Sequence, residues 1–256
     1  MEKIAALILA AGKGTRMNEG LASPIPKVMF EANGEPLIYH SVSNVRKAGV
    51  EKVVLVVGYR REMIEEYFGE EVEYAVQEEQ LGTGHATAQA KPNLEGKSEA
   101  VLVCYGDMPL FKPETIKKLI DKFLNPPAGG EKPTVAMLSV MFDDPNFWAY
   151  GRIFRDEKGE VVGIIEQKDC KPEELEIREC NPGFYIFDAK WLWENIDKLD
   201  PNNAQHEYYL TDMIVEARDQ GKRIIAMPVS EESEALGVNT VEQLKQAEEI
   251  LRTRNC

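Results

Sequence analysis

The sequence predicts an α/β protein, a sheet with helices packed on both faces, and three observations carry that prediction. Short apolar runs alternate with helical patterns along almost the whole chain. The opening run Ile4-Ala5-Ala6-Leu7-Ile8-Leu9 is apolar without a break, as in a parallel strand buried on both faces. That run feeds a glycine turn, Gly12-Lys13-Gly14, at the strand's carboxyl end, where open α/β sheets hold ligands.

The elements follow in order. After the opening strand and its loop, residues 36–48 read as a helix with Leu37, Tyr39, Val42 and Val45 among its apolar positions and Gly49 as its stop. Residues 52–58 form a β-branched, buried strand, 61–68 a short helix, 73–76 a strand and 100–104 another apolar strand. A helix over 113–124 is closed by Asn125-Pro126-Pro127; Ala128-Gly129-Gly130 makes a turn and 134–141 a strand. The character then changes. Residues 151–154 and 161–166 read as a hairpin around Asp156-Glu157-Lys158-Gly159, and 181–187 as one further strand. A helix over 190–199 carries Trp191 and Trp193; 210–220 is helical, 223–227 a strand and 240–254 a charged final helix. Neither a linker nor an internal repeat divides the chain. The economical organisation is one domain over 1–239, a β-rich lobe within about 141–212, and a C-terminal helix over 240–256.

Composition narrows the function classes. A hydrophobic content of 43% is ordinary for a globular chain of 256 residues. The net charge of −14 argues against a broad basic face for nucleic acid, so any anion site must be a local cluster. No apolar run approaches a membrane span, and Met1-Glu2-Lys3 leads directly into a strand rather than a signal peptide. Cys104, Cys170, Cys180 and Cys256 show no Cys-x-x-Cys spacing and read as the reduced thiols of a cytoplasmic protein.

Four stretches can carry chemistry. In Leu9-Ala10-Ala11-Gly12-Lys13-Gly14-Thr15-Arg16 the glycines let a phosphate approach the backbone N–H groups, while Arg16, and Lys27 further on, add charge. Neither common phosphate motif fits: no Gly-x-x-x-x-Gly-Lys-Ser/Thr occurs, and Met17 stands at the third glycine of Gly-x-Gly-x-x-Gly. In Cys104-Tyr105-Gly106-Asp107 a carboxylate leaves a buried strand beside a glycine, placed to hold Mg²⁺ and a nucleotide phosphate, or else to make a polar turn. In Gln77-Glu78-Glu79-Gln80-Leu81-Gly82-Thr83-Gly84-His85 glutamine amides can read a base edge; His85 packs or caps a helix start rather than acting in catalysis. The fourth stretch is discontinuous: Tyr150-Gly151-Arg152, Ile165-Glu166-Gln167, Asn181-Pro182-Gly183 and Asn202 to Asp212 supply groups suited to sugar hydroxyls and an acetamido group. Gly237-Val238-Asn239-Thr240 closes the set; Asn239 or Thr240 can also simply cap the last helix.

Leu-x-x-Gly-x-Gly-Thr-Arg followed by Pro-Lys is the sugar nucleotidyltransferase signature. The whole chain resembles the uridylyltransferase (pyrophosphorylase) domain of bacterial bifunctional N-acetylglucosamine-1-phosphate uridylyltransferases, through LAAGKGTRM, PKV, QEEQLGTGHA, YGDMPL, YGRI, IIEQKD, NPG, NNAQHEYYLTD and GVN in the family's order. The resemblance implies a Rossmann-like nucleotidyltransferase fold, with a mixed, mostly parallel sheet flanked by helices and a small β-rich sugar-binding lobe. It implies that Leu9, Ala10, Ala11, Gly12 and Gly14 line the nucleotide, that Arg16 and Lys27 contact phosphates as the catalytic cations, and that Gln77, Gly82 and Thr83 recognise uracil. Tyr105 and Gly106 would flank the sugar nucleotide, and Asp107 and Asn239 would hold Mg²⁺. Gly151, Glu166, Asn181, Tyr209 and Thr211 would surround the N-acetylglucosamine moiety.

Three features depart from the family. The 17–26 loop is longer than usual, which opens the question of where Lys27 reaches. Pro182 replaces a threonine beside the sugar. The hexapeptide-repeat β-helix of the bifunctional members is absent from these residues.

The expected reaction is uridylyl transfer from UTP to N-acetylglucosamine-1-phosphate, with no nucleic-acid or membrane partner and an oligomeric state the sequence leaves open. Alternatives are the same chemistry with dTTP or another sugar-1-phosphate such as glucose-1-phosphate, or a non-catalytic, nucleotide-sugar-binding regulatory subunit. A metal-dependent glycosyltransferase ranks low: Asp107 has no acid two places away, and Asp143-Asp144 are adjacent.

Overall fold

The computed structural model describes residues 2–20, 22–127, 130–145 and 149–254. Residues 128 and 129 of the expected turn, and Cys256, lie outside the described residues.

Strand β1 (Glu2–Leu9) is followed by a 3₁₀ turn (Lys27–Met29) and a small hairpin, β2 (Glu31–Ala32) and β3 (Glu35–Pro36). The hairpin turns on Asn33 and Gly34, both at positive φ (56° and 83°), the pairing a type I′ turn demands. Its two-residue arms are too short to register as a strand pattern. Next come α1 (Leu37–Lys47), β4 (Val53–Val57), α2 (Glu62–Phe68), β5 (Glu73–Val76), α3 (Thr83–Gln89), α4 (Lys91–Leu94), β6 (Ser98–Tyr105) and α5 (Pro113–Leu124). The second half holds β7 (Val135–Met141), β8 (Gly151–Arg155), β9 (Val161–Ile165), β10 (Glu179–Asn181), β11 (Tyr185–Asp188), α6 (Ala189–Asn195), α7 (Asp212–Asp219), β12 (Ile224–Pro228) and α8 (Val241–Arg254).

Apart from β2 and β3, which pair only with each other, the strands form a single sheet ordered β5-β4-β1-β6-β11-β7-β10-β8-β9, with β12 added alongside β7. β5, β4, β1 and β6 are all parallel, so their carboxyl ends share one rim. β11 runs antiparallel to β6 and to the start of β7, whose far end pairs instead with β10. Through Cys180↔Arg152 and Asn181↔Gly151, β10 hangs the β8–β9 hairpin on that same sheet. Period-2 alternation assigns the core. Ile4, Ala6 and Ile8 pack with the layer of α1, α5 and α8, whereas Ala5, Leu7 and Leu9 pack with that of α3, α6 and α7.

Two predicted elements are corrected and two helices are added. The strand expected over 181–187 is two strands, β10 and β11, parted at Pro182-Gly183. Gly183 stands at φ +77°, and its N–H donates to Asn181 Oδ1 at 3.1 Å rather than to a ladder. The helix expected over 190–199 starts at Ala189, capped by Asp188 Oδ1 (3.0 Å from Trp191 N), and tightens into a 3₁₀ turn over Ile196–Lys198. α3 and α4 were not predicted as elements: α3 buries Gly84, Ala86 and Thr87, residues too small to leave an apolar stripe in the sequence. Among the described residues no helix is long and apolar enough to cross a membrane.

Candidate active site

A cleft opens along the shared rim of the parallel strands. At one end is a cavity of about 220 Å³ lined by Leu9, Ala10, Ala11 and Gly12 after β1, Gln77, Gln80, Gly82 and Thr83 after β5, and Tyr105, Asp107 and Lys27. The Gly82 loop is shaped by close backbone packing. Gly82 has φ +108°, and a Cβ there would lie 2.6 Å from Tyr208 O. Gly84 N–H donates to Tyr208 O (2.7 Å), Tyr208 N–H to Leu81 O (2.8 Å) and Leu210 N–H to Thr83 Oγ1 (3.0 Å). The 207–210 segment, expected among the sugar groups, is therefore the backing of the loop after β5. Gln77 is buried; its Nε2 donates to Gly82 O at 3.1 Å and meets His85 Nδ1 at 3.0 Å. That leaves the carboxamide oxygen as the atom Gln77 can offer to a ligand. His85, in the first turn of α3, holds this glutamine in place.

The middle of the cleft is built around Lys27. Its ammonium forms an ion pair with Asp107 Oδ2 and donates to Asn239 Oδ1 at 2.8 Å. The long loop does not displace it, because Asn18 clasps the loop's two ends together. Asn18 Nδ2 donates to Gly14 O (3.0 Å) and Ile25 O (2.8 Å), and its Oδ1 accepts from Ile25 N–H (2.8 Å). Gly14, at φ +64°, lies so close that a Cβ there would fall 2.5 Å from Lys27 Cβ. Val238 N–H donates to Asp107 O at 3.0 Å and so fixes the segment bearing Asn239 against the one bearing Asp107. Thr240 caps α8, accepting from Gln243 N–H (3.2 Å), while Gln243 Oε1 takes the Asn239 N–H (2.7 Å). The cap is Thr240, and the Asn239 amide is left for Lys27.

A second cavity of about 400 Å³ continues the cleft through the shared Tyr105 and Asp107, and is lined by Arg16, Met108, Tyr150, Gly151, Glu166, Asn181, Pro182 and Asn239. Glu166 Oε1 accepts from Thr211 Oγ1 at 3.2 Å. Burial raises its pKa, against the Thr211 hydrogen bond, and Asp212, Asp169 and Glu207 push it further the same way. A Cβ on Gly151 would come 2.9 Å from Ile164 Cγ2 and 3.5 Å from Glu166 Oε2, so glycine keeps this wall open. Asn181 Nδ2 donates to the Tyr185 hydroxyl at 2.6 Å and its Oδ1 serves Gly183 N–H, which leaves one proton and one lone pair for a ligand. Arg16 is exposed and forms no ion pair among the described residues.

Of the residues the sequence singles out, Gly14, Gly106, Tyr209 and Thr211 line neither cavity. Gly106 packs under the strands: its N–H donates to Leu9 O (3.0 Å), and a Cβ would meet Val28 Cγ1 at 3.1 Å. The Tyr209 hydroxyl is held by Gln205 Nε2 (2.7 Å) and Asp169 Oδ2 (3.2 Å), and Thr211 stands behind Glu166. Two further residues, given no individual role by the sequence, shape the site. Gln80 lines the first cavity, and the Tyr150 hydroxyl bridges Ala235 O (2.8 Å) and Gly237 N–H (2.8 Å), tying the second cavity to the Asn239 segment. Both lie inside stretches already noted, but neither has a spacing that marks it.

Among the described residues no three His, Cys, Asp or Glu side chains gather as a closed metal cage. Asp107 and Asn239 instead offer two hard oxygens, and those oxygens already hold one positive charge, the Lys27 ammonium. A cation such as Mg²⁺, which keeps most of its shell for water and phosphate oxygen, fits that donor set.

Parallel strands, a glycine loop at their carboxyl rim and a polar cleft beyond it define a Rossmann-like α/β protein. The chain belongs to the nucleotidyl transferase family, which it matches over residues 5–235. It is 42% identical over 256 residues to a protein named bifunctional protein GlmU from Geobacter metallireducens, covering 99% of this chain and 52% of the relative. A protein of the same name from Clostridium novyi is 46% identical over 250 residues, covering 97% of this chain and 52% of the relative. The chain thus spans about half the length of the curated relatives it matches. The crystal structure of a UDP-glucose pyrophosphorylase complexed with UDP-glucose superposes with a TM-score of 0.77 at 20% identity, covering 99% of this chain and all of that one, a likeness of fold.

Proposed function

We propose that the protein transfers a uridylyl group from UTP to N-acetylglucosamine-1-phosphate, giving UDP-N-acetylglucosamine and pyrophosphate, as a cytoplasmic enzyme. One observation carries the reading. The cavity bordered by Gln77 and the glycine loops meets the polar cavity of Glu166 and Asn181 at Asp107, beside two cations, Lys27 and Arg16. Such a cleft lays a nucleoside triphosphate end to end with a sugar phosphate.

In this reading the Gln77 carboxamide oxygen accepts the uracil N3–H, and the Gly82 and Thr83 backbone closes on the base. The Gly12–Gly14 amides and the Arg16 and Lys27 side chains bind the β- and γ-phosphates. An oxygen of the sugar phosphate attacks the α-phosphorus; the new P–O bond forms as the α–β bridge breaks, and pyrophosphate leaves with the bridging electron pair. The nucleophile needs no general base, since the second pKa of a phosphomonoester is about 6. Charge neutralisation and alignment supply the rate. Asp107 and Asn239 would hold Mg²⁺, which when bound neutralises phosphate charge.

The test crosses nucleoside triphosphates with sugar-1-phosphates in the presence of Mg²⁺ and measures pyrophosphate. UTP with N-acetylglucosamine-1-phosphate should give the highest kcat/KM; preference for glucose-1-phosphate or dTTP overturns the assignment of substrate. Asp107→Ala and Arg16→Ala should each lower kcat/KM at least about 10²-fold.

A further inference from the structure

We propose that Lys27 is a built-in occupant of the cation site: its ammonium latches Asp107 to Asn239 in the empty protein, and a divalent cation binds well only after a triphosphate has drawn it away. The inference rests on the assignment of Asp107 and Asn239 as the metal-holding pair.

The geometry demands competition. Lys27 Nζ contacts Asp107 Oδ2 and lies 2.8 Å from Asn239 Oδ1, so one atom occupies the space between both oxygen donors. A divalent ion bound to the same oxygens would sit about 2.1 Å from each, in the volume the ammonium fills and against its charge. The two cations exclude one another.

The latch can open without rebuilding the site. The Lys27 backbone is pinned beneath Gly14, whose missing Cβ would lie 2.5 Å from Lys27 Cβ, and Val28 beside it is buried. Only the flexible four-carbon stem is free to swing. The donors stay in place when it leaves, because the Val238 N–H to Asp107 O bond (3.0 Å) and the Gln243 bond to Asn239 N–H (2.7 Å) do not involve Lys27. The new partner is at hand, since Lys27 also lines the first cavity together with Gly12. A triphosphate there offers the ammonium fresh anionic oxygens and leaves Asp107 and Asn239 open. Cation and nucleotide then bind with positive coupling, which is reciprocal by linkage.

The experiment measures Mn²⁺ binding to the full chain by electron paramagnetic resonance of the free ion, without substrates. Lys27→Met should bind Mn²⁺ at least tenfold more tightly than wild type. Arg16→Met removes a charge from the same cleft but no latch, and should stay within threefold of wild type. A non-hydrolysable UTP analogue should tighten Mn²⁺ binding at least tenfold in wild type and distinctly less in Lys27→Met. Equal Mn²⁺ affinity in wild type and Lys27→Met, or an equal gain from Arg16→Met, overturns the latch. The double variant Lys27→Met/Asp107→Asn separates the two readings. Binding weaker than in Lys27→Met upholds the metal assignment whatever the fate of the latch, whereas binding as tight as in Lys27→Met overturns the assignment itself. Circular dichroism confirms that each variant is folded.

Discussion

Gly183 shows how much of the site depends on single atoms. It stands at φ +77°, and a Cβ added there would fall on the Tyr105 ring, the side chain shared by both cavities. Gly183→Ala must therefore shift Tyr105 or the turn after β10. We expect a loss of about 2–4 kcal/mol in urea denaturation and a raised KM for the sugar phosphate. The sequence showed Asn181-Pro182-Gly183 as polar groups opening a strand, but not that a ring fills the space a side chain would need. Close approach between residues distant in sequence leaves no trace in local pattern. The same holds for Gln77: its type suggested a base reader, while the oxygen it presents was settled by His85 and Gly82 O.

Among the elements, long strands and helices were legible because burial dictates their periodicity. β4 is apolar throughout, β1 from Ile4 and β6 from Ala100, and α5 opens at Pro113 as expected. The division of 181–187 into β10 and β11 was not legible, since either half alone reads as strand. The start of α8 ties an element to the site. Thr240 caps the helix and Gln243 grips Asn239 N–H (2.7 Å), so one capping arrangement also sets a proposed metal donor. Gln243→Ala should cost only about 1 kcal/mol of stability by thermal melting. It should nevertheless raise the Mg²⁺ concentration needed for half-maximal pyrophosphate release severalfold, because Asn239 loses its anchor.

Across the whole molecule, the rule that ligands gather at the carboxyl rim of parallel strands located the first cavity from sequence alone. The second cavity was less legible. It is assembled from β8, β9 and β10, which reach the rim only through the antiparallel half of the sheet. The excess of acid, net charge −14, also has a global effect. Burial, with Asp200 and Asp169 nearby, pushes the Asp212 carboxyl up from an ordinary 3.8 to about 6. A raised folded-state pKa favours the protonated form, so the protein is least burdened below pH 3.8 and loses that advantage as pH rises through 6. Asp212→Asn should therefore stabilise the fold by about 1–2 kcal/mol above pH 6, allowing for solvent screening, with the gain vanishing toward pH 4 in melting curves.

The Asn18 clasp has a practical side. By pairing with Ile25 it makes the stretch between residues 18 and 25 a side branch rather than a spacer, so the position of Lys27 does not depend on how many residues the branch contains. A fluorescent tag or peptide graft spliced into that branch would ride beside the cleft and report on its traffic while the machinery behind the clasp stays undisturbed.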